Sequence, residues 1–226
     1  MIRVKLFDGG KATPVQCLLI AVWLVVLLSV LAIWANTSLS LLGSDVSGVL
    51  ISVGRLIGLL ATFFVLTQFM LMGRVYWIER AFGLDHLASY HRVNGYMAIT
   101  GILLHPCFIV TGYALAARKD LLSEYLEMLQ HFDFIWLAQI AQILFVIIVG
   151  MSIYLVRKHF KFETWYYVHF MVYVAVSLVF WHQFALGGSF LDHPLERWYW
   201  ILLYSFVAVN VMWWRFSWSK IGRAHV

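Results

Sequence analysis

Six stretches of this sequence, at about 15–35, 49–72, 93–116, 134–156, 165–186 and 198–214, run almost without charge for the width of a bilayer. A hydrocarbon core about 30 Å thick takes roughly 20 apolar residues per helix. No water reaches the backbone there, so every N–H and C=O must be satisfied inside a helix or around a closed barrel. The runs are continuous rather than alternating, which leaves helices. Composition agrees: of 226 residues 63% are hydrophobic and 12% charged, too apolar for a soluble domain. The expected fold is all-α and polytopic, a six-transmembrane-helix bundle over 15–220 in contact with membrane lipid, preceded by a cytoplasmic segment 1–14.

Lys and Arg placement orients the spans. Arg3, Lys5 and Lys11 precede the first run, Arg74, Arg80 and Arg92 surround the loop after the second, and Arg157, Lys158 and Lys161 separate the fourth from the fifth. These segments are expected to be cytoplasmic, with both termini inside, in a bacterial inner membrane. The opposite face gathers Asp45, Asp120, Glu124, Glu127, Asp133, Asp192 and Glu196. The formal charge of +5 follows from this topology, so no nucleic-acid partner is expected. The loop segment LLSEYLEMLQ has helical apolar spacing and reads as a short amphipathic helix lidding the outer surface. Cys17 and Cys107 read as buried small hydrophobes, too far apart to bridge.

The third run, with the two residues before it, and the fifth run carry two histidine pairs, His91 with His105 and His169 with His182. Fourteen residues rise about 21 Å and thirteen about 20 Å, most of the hydrocarbon thickness. Both helices run from inside to outside, so His91 and His169 share the inner depth while His105 and His182 share the outer. Intramembrane ionisable groups are costly and tend to be functional. Two imidazoles across an interhelical gap suit the axial positions of a haem iron, whereas zinc wants further protein ligands. No C-x-x-C-H occurs, which excludes covalent c-type attachment. Gly95 and Gly101 offer room for a flat macrocycle. Phase raises a difficulty: at 100° per residue, thirteen residues leave His182 about 140° from the face of His169. A π-bulge in the fifth span is expected to compensate. His86, His131, His159 and His193 fall in loops and read as surface residues. A haem-free scaffold or transporter, its histidines serving packing or proton relay, is the rival of a different class.

The segments RLIGLLATFFVLTQFMLMGR, ERAFGLDHLASYHRVNGYMAITGILLHP and FETWYYVHFMVYVAVSLVFWH together resemble the ferric reductase-like transmembrane domain shared by ferric reductases and NADPH oxidases, over roughly 49–215. The resemblance implies two b-type haems, held by His91 with His169 and by His105 with His182. It implies electron transport from a cytoplasmic flavin to an outer acceptor such as a ferric chelate, dioxygen or a periplasmic protein, with no further catalytic side chain. Arg55 in the second run and Arg92 beside His91 are candidate haem-propionate contacts, and Pro106 is expected to kink the helix and aim His105. Members usually continue into FAD- and NAD(P)H-binding domains. Here IGRAHV, residues 221–226, matches one reading frame of a sequencing adapter (ATC GGA AGA GCA CAC GTC), so the expectation is a tail replacing those domains. The alternative is a stand-alone haem subunit reduced by a separate flavoprotein and serving a periplasmic reductase.

Overall fold

The computed structural model describes residues 12–153, 158–186 and 193–221, and no strand occurs among them. Most of the N-terminal segment, Arg157, Asp192 and the 222–226 tail lie outside the described residues. In order the helices are α1 (Pro14–Ser38), a 3₁₀ turn (Leu39–Gly43), α2 (Val46–Met72), α3 (Tyr76–Phe82), α4 (Leu84–Ala117), α5 (Leu121–His131), α6 (Ile135–Ser152), α7 (Phe162–Phe170), α8 (Val172–Leu186) and α9 (Pro194–Ile221).

Their ends are written in the sequence. Thr13 and Gln16 form a capping box before α1: Thr13 Oγ1 accepts from the Gln16 amide at 3.3 Å, and Gln16 Oε1 from the Thr13 amide at 2.8 Å. Asp45 Oδ1 accepts from the Gly48 amide at 3.0 Å and starts α2, as Asp120 Oδ1 accepts from Ser123 at 3.0 Å and starts α5. At the far end of α4, Arg118 takes a left-handed φ of 54°. Its amide reaches the Leu115 carbonyl at 3.2 Å and the Lys119 amide reaches Ala114 at 2.9 Å, a Schellman closure.

Among the described residues, five helical segments are long and apolar enough to cross a membrane: Pro14–Gly43, Val46–Met72, Leu84–Ala117, Ile135–Ser152 and Phe162–Ala185. The protein is an integral membrane protein. The sixth expected run lies in α9, which is not among the five; Asn210 and the many Trp and Tyr side chains lower its apolar character. The loop expected after the second run is helical, in α3 and the first turns of α4.

Two compact units share the chain: Met1–Ile33, Leu59–Ala98 and Trp198–Val226 form one, Trp34–Gly58 and Ile99–Arg197 the other. In the first, Val75, Ile78 and Leu87 are buried beneath Met70, Leu71, Trp77, Phe82, Tyr90 and Trp214. Polar ties add to this packing: Trp23 Nε1 donates to Thr67 Oγ1 at 3.2 Å, and the Ser29 and Tyr199 hydroxyls meet at 2.6 Å. Lipid is as apolar as leucine, so close packing and such interhelical bonds hold membrane helices together. In the second, α6 packs along α8. There Trp34 Nε1 donates to the Ser52 carbonyl at 2.9 Å, and the fully buried Ser52 hydroxyl to the Ser38 carbonyl at 2.7 Å.

Three expectations are corrected. Cys17 and Cys107 are both exposed, because the outside of a membrane helix is itself apolar and a thiol sits there as readily as in a core. The amphipathic helix α5 exists, but it buries Glu124 and Met128 while Leu121, Leu122 and Leu126 face outward. The fifth span holds no π-bulge. It breaks instead at Met171, whose amide bonds the Val168 carbonyl at 3.1 Å in a tight i to i−3 turn between α7 and α8. Three-residue turns wind faster than α-helix, by about 20° per residue, so this break advances the phase that thirteen α-helical residues leave short.

Candidate functional site

His105 sits mid-helix in α4, directly before Pro106. Its Nδ1 lies 2.8 Å from the Gly54 carbonyl of α2. A carbonyl only accepts, so Nδ1 carries the proton and Nε2 keeps its lone pair. That is the tautomer a metal-binding histidine takes when a backbone oxygen holds its other nitrogen. The ring lies on Gly58: a Cβ there would stand 2.7 Å from Nδ1, 2.8 Å from Cε1 and 3.3 Å from Cγ. Gly54 admits α4 in the same way, since its Cβ would stand 2.9 Å from Ile109 Cδ1 and 3.1 Å from Phe108 Cβ.

Pro106 lies within α4 without ending it. Proline has no N–H for the Ile102 carbonyl one turn back. Gln142 Nε2 of α6 approaches that oxygen at 3.5 Å, a neighbouring helix serving the group that proline releases.

His182 is on α8 in the same unit, within electrostatic reach of His105. Its Nδ1 is buried with no hydrogen-bond partner among the described residues. His169 closes α7, with Trp165 stacked on its ring at 5.1 Å and 25°. Ser152 Oγ lies 3.4 Å from His169 Nδ1 and 3.3 Å from Trp165 Nε1, and donates its one proton to the Ile148 carbonyl at 2.7 Å. Towards His169 the hydroxyl therefore accepts, which again puts the proton on Nδ1 and the lone pair on Nε2.

His91, in the other unit, lies near the start of α4. Gln68 Nε2 of α2 donates to its backbone carbonyl at 2.9 Å, and Asn94 Nδ2 returns a bond to the Phe64 carbonyl at 2.8 Å. The space over Gly95, expected to admit a macrocycle, is taken by this amide: a Cβ there would stand 2.7 Å from Gln68 Nε2.

Arg55 is half-buried on α2, with Nη1 at 3.5 Å from the Ser38 hydroxyl, while Arg92 is exposed. No group of three or more His, Cys, Asp or Glu side chains converges as a metal cluster among the described residues. His131 and His86 lie on helices rather than loops: His131 Nδ1 meets the Glu127 carbonyl at 3.1 Å, and His86 is beside Tyr90, ring centroids 6.4 Å apart.

The donor set fits haem. His105 and His169 each have Nδ1 satisfied by an acceptor and Nε2 left as a lone pair, and a buried nitrogen of His182 is orphaned within reach of His105. Sequence reasoning found the histidines by spacing but missed Gly54, Gly58, Gln68, Gln142 and Ser152. Gly54 and Gly58 were visible as a small-xxx-small pair on one face of an apolar run.

A family model described as ferric reductase like transmembrane component matches residues 57–180, more than half the chain and inclusive of His91, His105 and His169. Neither a curated protein nor a solved structure matches it.

Proposed function

Because the chain belongs to the ferric reductase-like transmembrane component family, an assignment that implies an oxidoreductase-type membrane component, we propose that it carries single electrons across the bilayer with two b-type haems. His105 with His182 would hold one, His91 with His169 the other. The second pairing rests on matched depth in the sequence. The observation that carries the reading is His105, its ring seated on Gly58 and its Nδ1–H bound to the Gly54 carbonyl, so that Nε2 presents a lone pair inside an apolar span.

When bound, haem would supply a one-electron iron couple, and the four histidines would hold it for outer-sphere transfer. The protein's work is to hold and insulate. The Gly54 carbonyl and the Ser152 hydroxyl fix tautomers, the apolar spans exclude water, and the depths of the two pairs set a path across the membrane. Arg55 has no carboxylate partner among the described residues and is suited to an anionic propionate, with Arg92 in the same role at the other depth. The donor is a cytoplasmic flavin reduced by NAD(P)H, on a fused domain or a separate flavoprotein. The acceptor at the outer face is a ferric chelate, dioxygen or a periplasmic protein.

The test uses the full chain, loaded with haem, in sealed liposomes containing photoreducible free flavin, with an impermeant ferric chelate outside. Light-driven reduction of the external chelate that vanishes in His105→Ala is expected. Transfer no faster than in empty liposomes, from a folded haem-loaded preparation, would reject the reading.

A further inference from the structure

Where α2 ends at Met72, the chain turns through Gly73 and Arg74 into α3. Beside this turn lies a cavity of about 300 Å³, walled by Arg74, Tyr76, Glu79 and Arg80. Arg74 takes a left-handed φ of 59°, which is uncommon for a residue with a side chain, and its Nη1 lies 3.2 Å from Glu79 Oε1. Arg80, one turn on from Tyr76, donates from Nη1 to the phenol oxygen at 3.4 Å. It meets no carboxylate among the described residues. Charge therefore does not cancel across the cavity. Glu79 balances Arg74, and the Arg80 guanidinium, which stays protonated in proteins, is left as one net positive charge.

The surroundings fix where this charge sits. Val75 and Ile78 bury the apolar side of α3. Tyr76 stacks on Trp214 of α9, ring centroids 5.5 Å apart at 28°, and Trp77 Nε1 donates to Asn210 Oδ1 at 3.4 Å. Trp and Tyr gather at the level of lipid headgroups. A short helix with one buried apolar side and a charged rim, directly at the end of a membrane span, lies in that same layer.

We propose that the cavity is a headgroup site for an anionic phospholipid, with Arg80 holding the phosphate. Its volume is at the lower end of small-molecule sites, roughly 300–1,000 Å³, whereas a docked protein covers a broad face. The planar guanidinium fork matches two phosphate oxygens. One phosphodiester neutralises the one net positive charge; a zwitterionic lipid, whose own ammonium already cancels its phosphate, does not. The Glu79 carboxylate only accepts hydrogen bonds, so a headgroup that carries hydroxyls, such as phosphoglycerol, suits the opposite wall. The site needs no haem, and its test stands apart from that of the electron-transfer reading.

Native mass spectrometry of the full chain, delipidated in detergent, tests it by separate titration with phosphatidylglycerol, phosphatidylcholine and glycerophosphate. Wild type, Arg80→Gln, Arg80→Lys and Glu79→Gln are compared with Arg197→Gln, a control at an exposed arginine in the first turn of α9. Wild type should retain one phosphatidylglycerol in clear preference to phosphatidylcholine. Arg80→Gln should weaken that binding roughly tenfold, the loss of a charge-assisted hydrogen bond. Arg80→Lys should stay weakened, because an ammonium keeps the charge without the fork. Glu79→Gln, which releases Arg74, should tighten binding, and Arg197→Gln should match wild type. Unchanged retention in a folded Arg80→Gln would overturn the site. So would an Arg80→Lys that binds like wild type, since diffuse surface charge would then suffice. Glycerophosphate held as tightly as the lipid would assign the cavity to a soluble phosphate and reject the lipid.

Discussion

Gly58→Ala is the most demanding perturbation of the site, because it adds one methyl group where the ring of His105 already is. The new Cβ would stand 2.7 Å from Nδ1 and 2.8 Å from Cε1, against an ordinary carbon contact of about 3.5–4.0 Å. The ring must retreat by the better part of an ångström. Its Nδ1–H bond to Gly54, now 2.8 Å, cannot survive that displacement. Overpacking costs about 1–3 kcal/mol, and the lost hydrogen bond about 0.5–1.5 kcal/mol more. Loss of a ligand's supporting partner weakens metal binding by about 10–100-fold. All of this opposes the roughly 0.8–1.0 kcal/mol by which alanine improves on glycine as a helix former. Gly150→Ala is the control, since nothing lies within 4 Å of a Cβ at that helical position in the same unit. Haem loss to an excess of a scavenging apoprotein, followed by absorbance, measures the effect. Gly58→Ala should release one haem at least tenfold faster while Gly150→Ala matches wild type. Equal release from all three proteins would refute the seating of His105 on Gly58.

Other outcomes follow from the same contacts. Ser52→Ala removes a buried hydroxyl bonded to the Ser38 carbonyl and should cost about 0.5–1.5 kcal/mol, seen as a lower midpoint in detergent unfolding. Gln142→Leu leaves the Ile102 carbonyl unserved and should destabilise the chain, whereas adding Pro106→Ala, which returns an N–H to that carbonyl, should recover most of the loss in a double-mutant cycle. Hydrogen bonds from the Ser123 side chain and amide hold the Asp120 carboxyl below its ordinary pKa. The start of α5 is therefore fully stabilised above about pH 3.9 and loosens as pH falls through the lower folded value, a change that exchange of the Ser123 amide proton will report. The Lys119 side chain does the same for Glu127 and is itself raised by it, so that tie is also lost at the alkaline end as pH rises through the folded value of Lys119.

How much of this could be read from the chain depends on the kind of signal. Apolar length carried the membrane helices, since backbone satisfaction in lipid allows little else, and spacing picked out His91, His105, His169 and His182. The caps at Thr13, Asp45 and Asp120 were equally local. What escaped was pairwise. That Gly58 seats a ring, that Gln68 fills the space over Gly95, and that Gln142 approaches the carbonyl released by Pro106 are facts about which helix lies opposite which. Hydropathy contains no such register. The break at Met171 was half legible: thirteen residues demanded an irregularity, but not a tight turn in place of a π-bulge. The sixth run, in α9, is rich in Trp and Tyr, which suit membrane interfaces, and it does not reach the apolarity of the other five by hydropathy.

The central claim is that paired imidazoles at two depths each hold one haem. Pyridine haemochrome quantification on the purified, haem-replete full chain tests it most directly, with wild type, His105→Ala and His91→Ala compared by reduced-minus-oxidised spectra. Two b haems per chain, falling to one in each variant with the remaining spectrum intact, is the predicted result. Wild type without haem, or variants that retain both haems while folded, would contradict it.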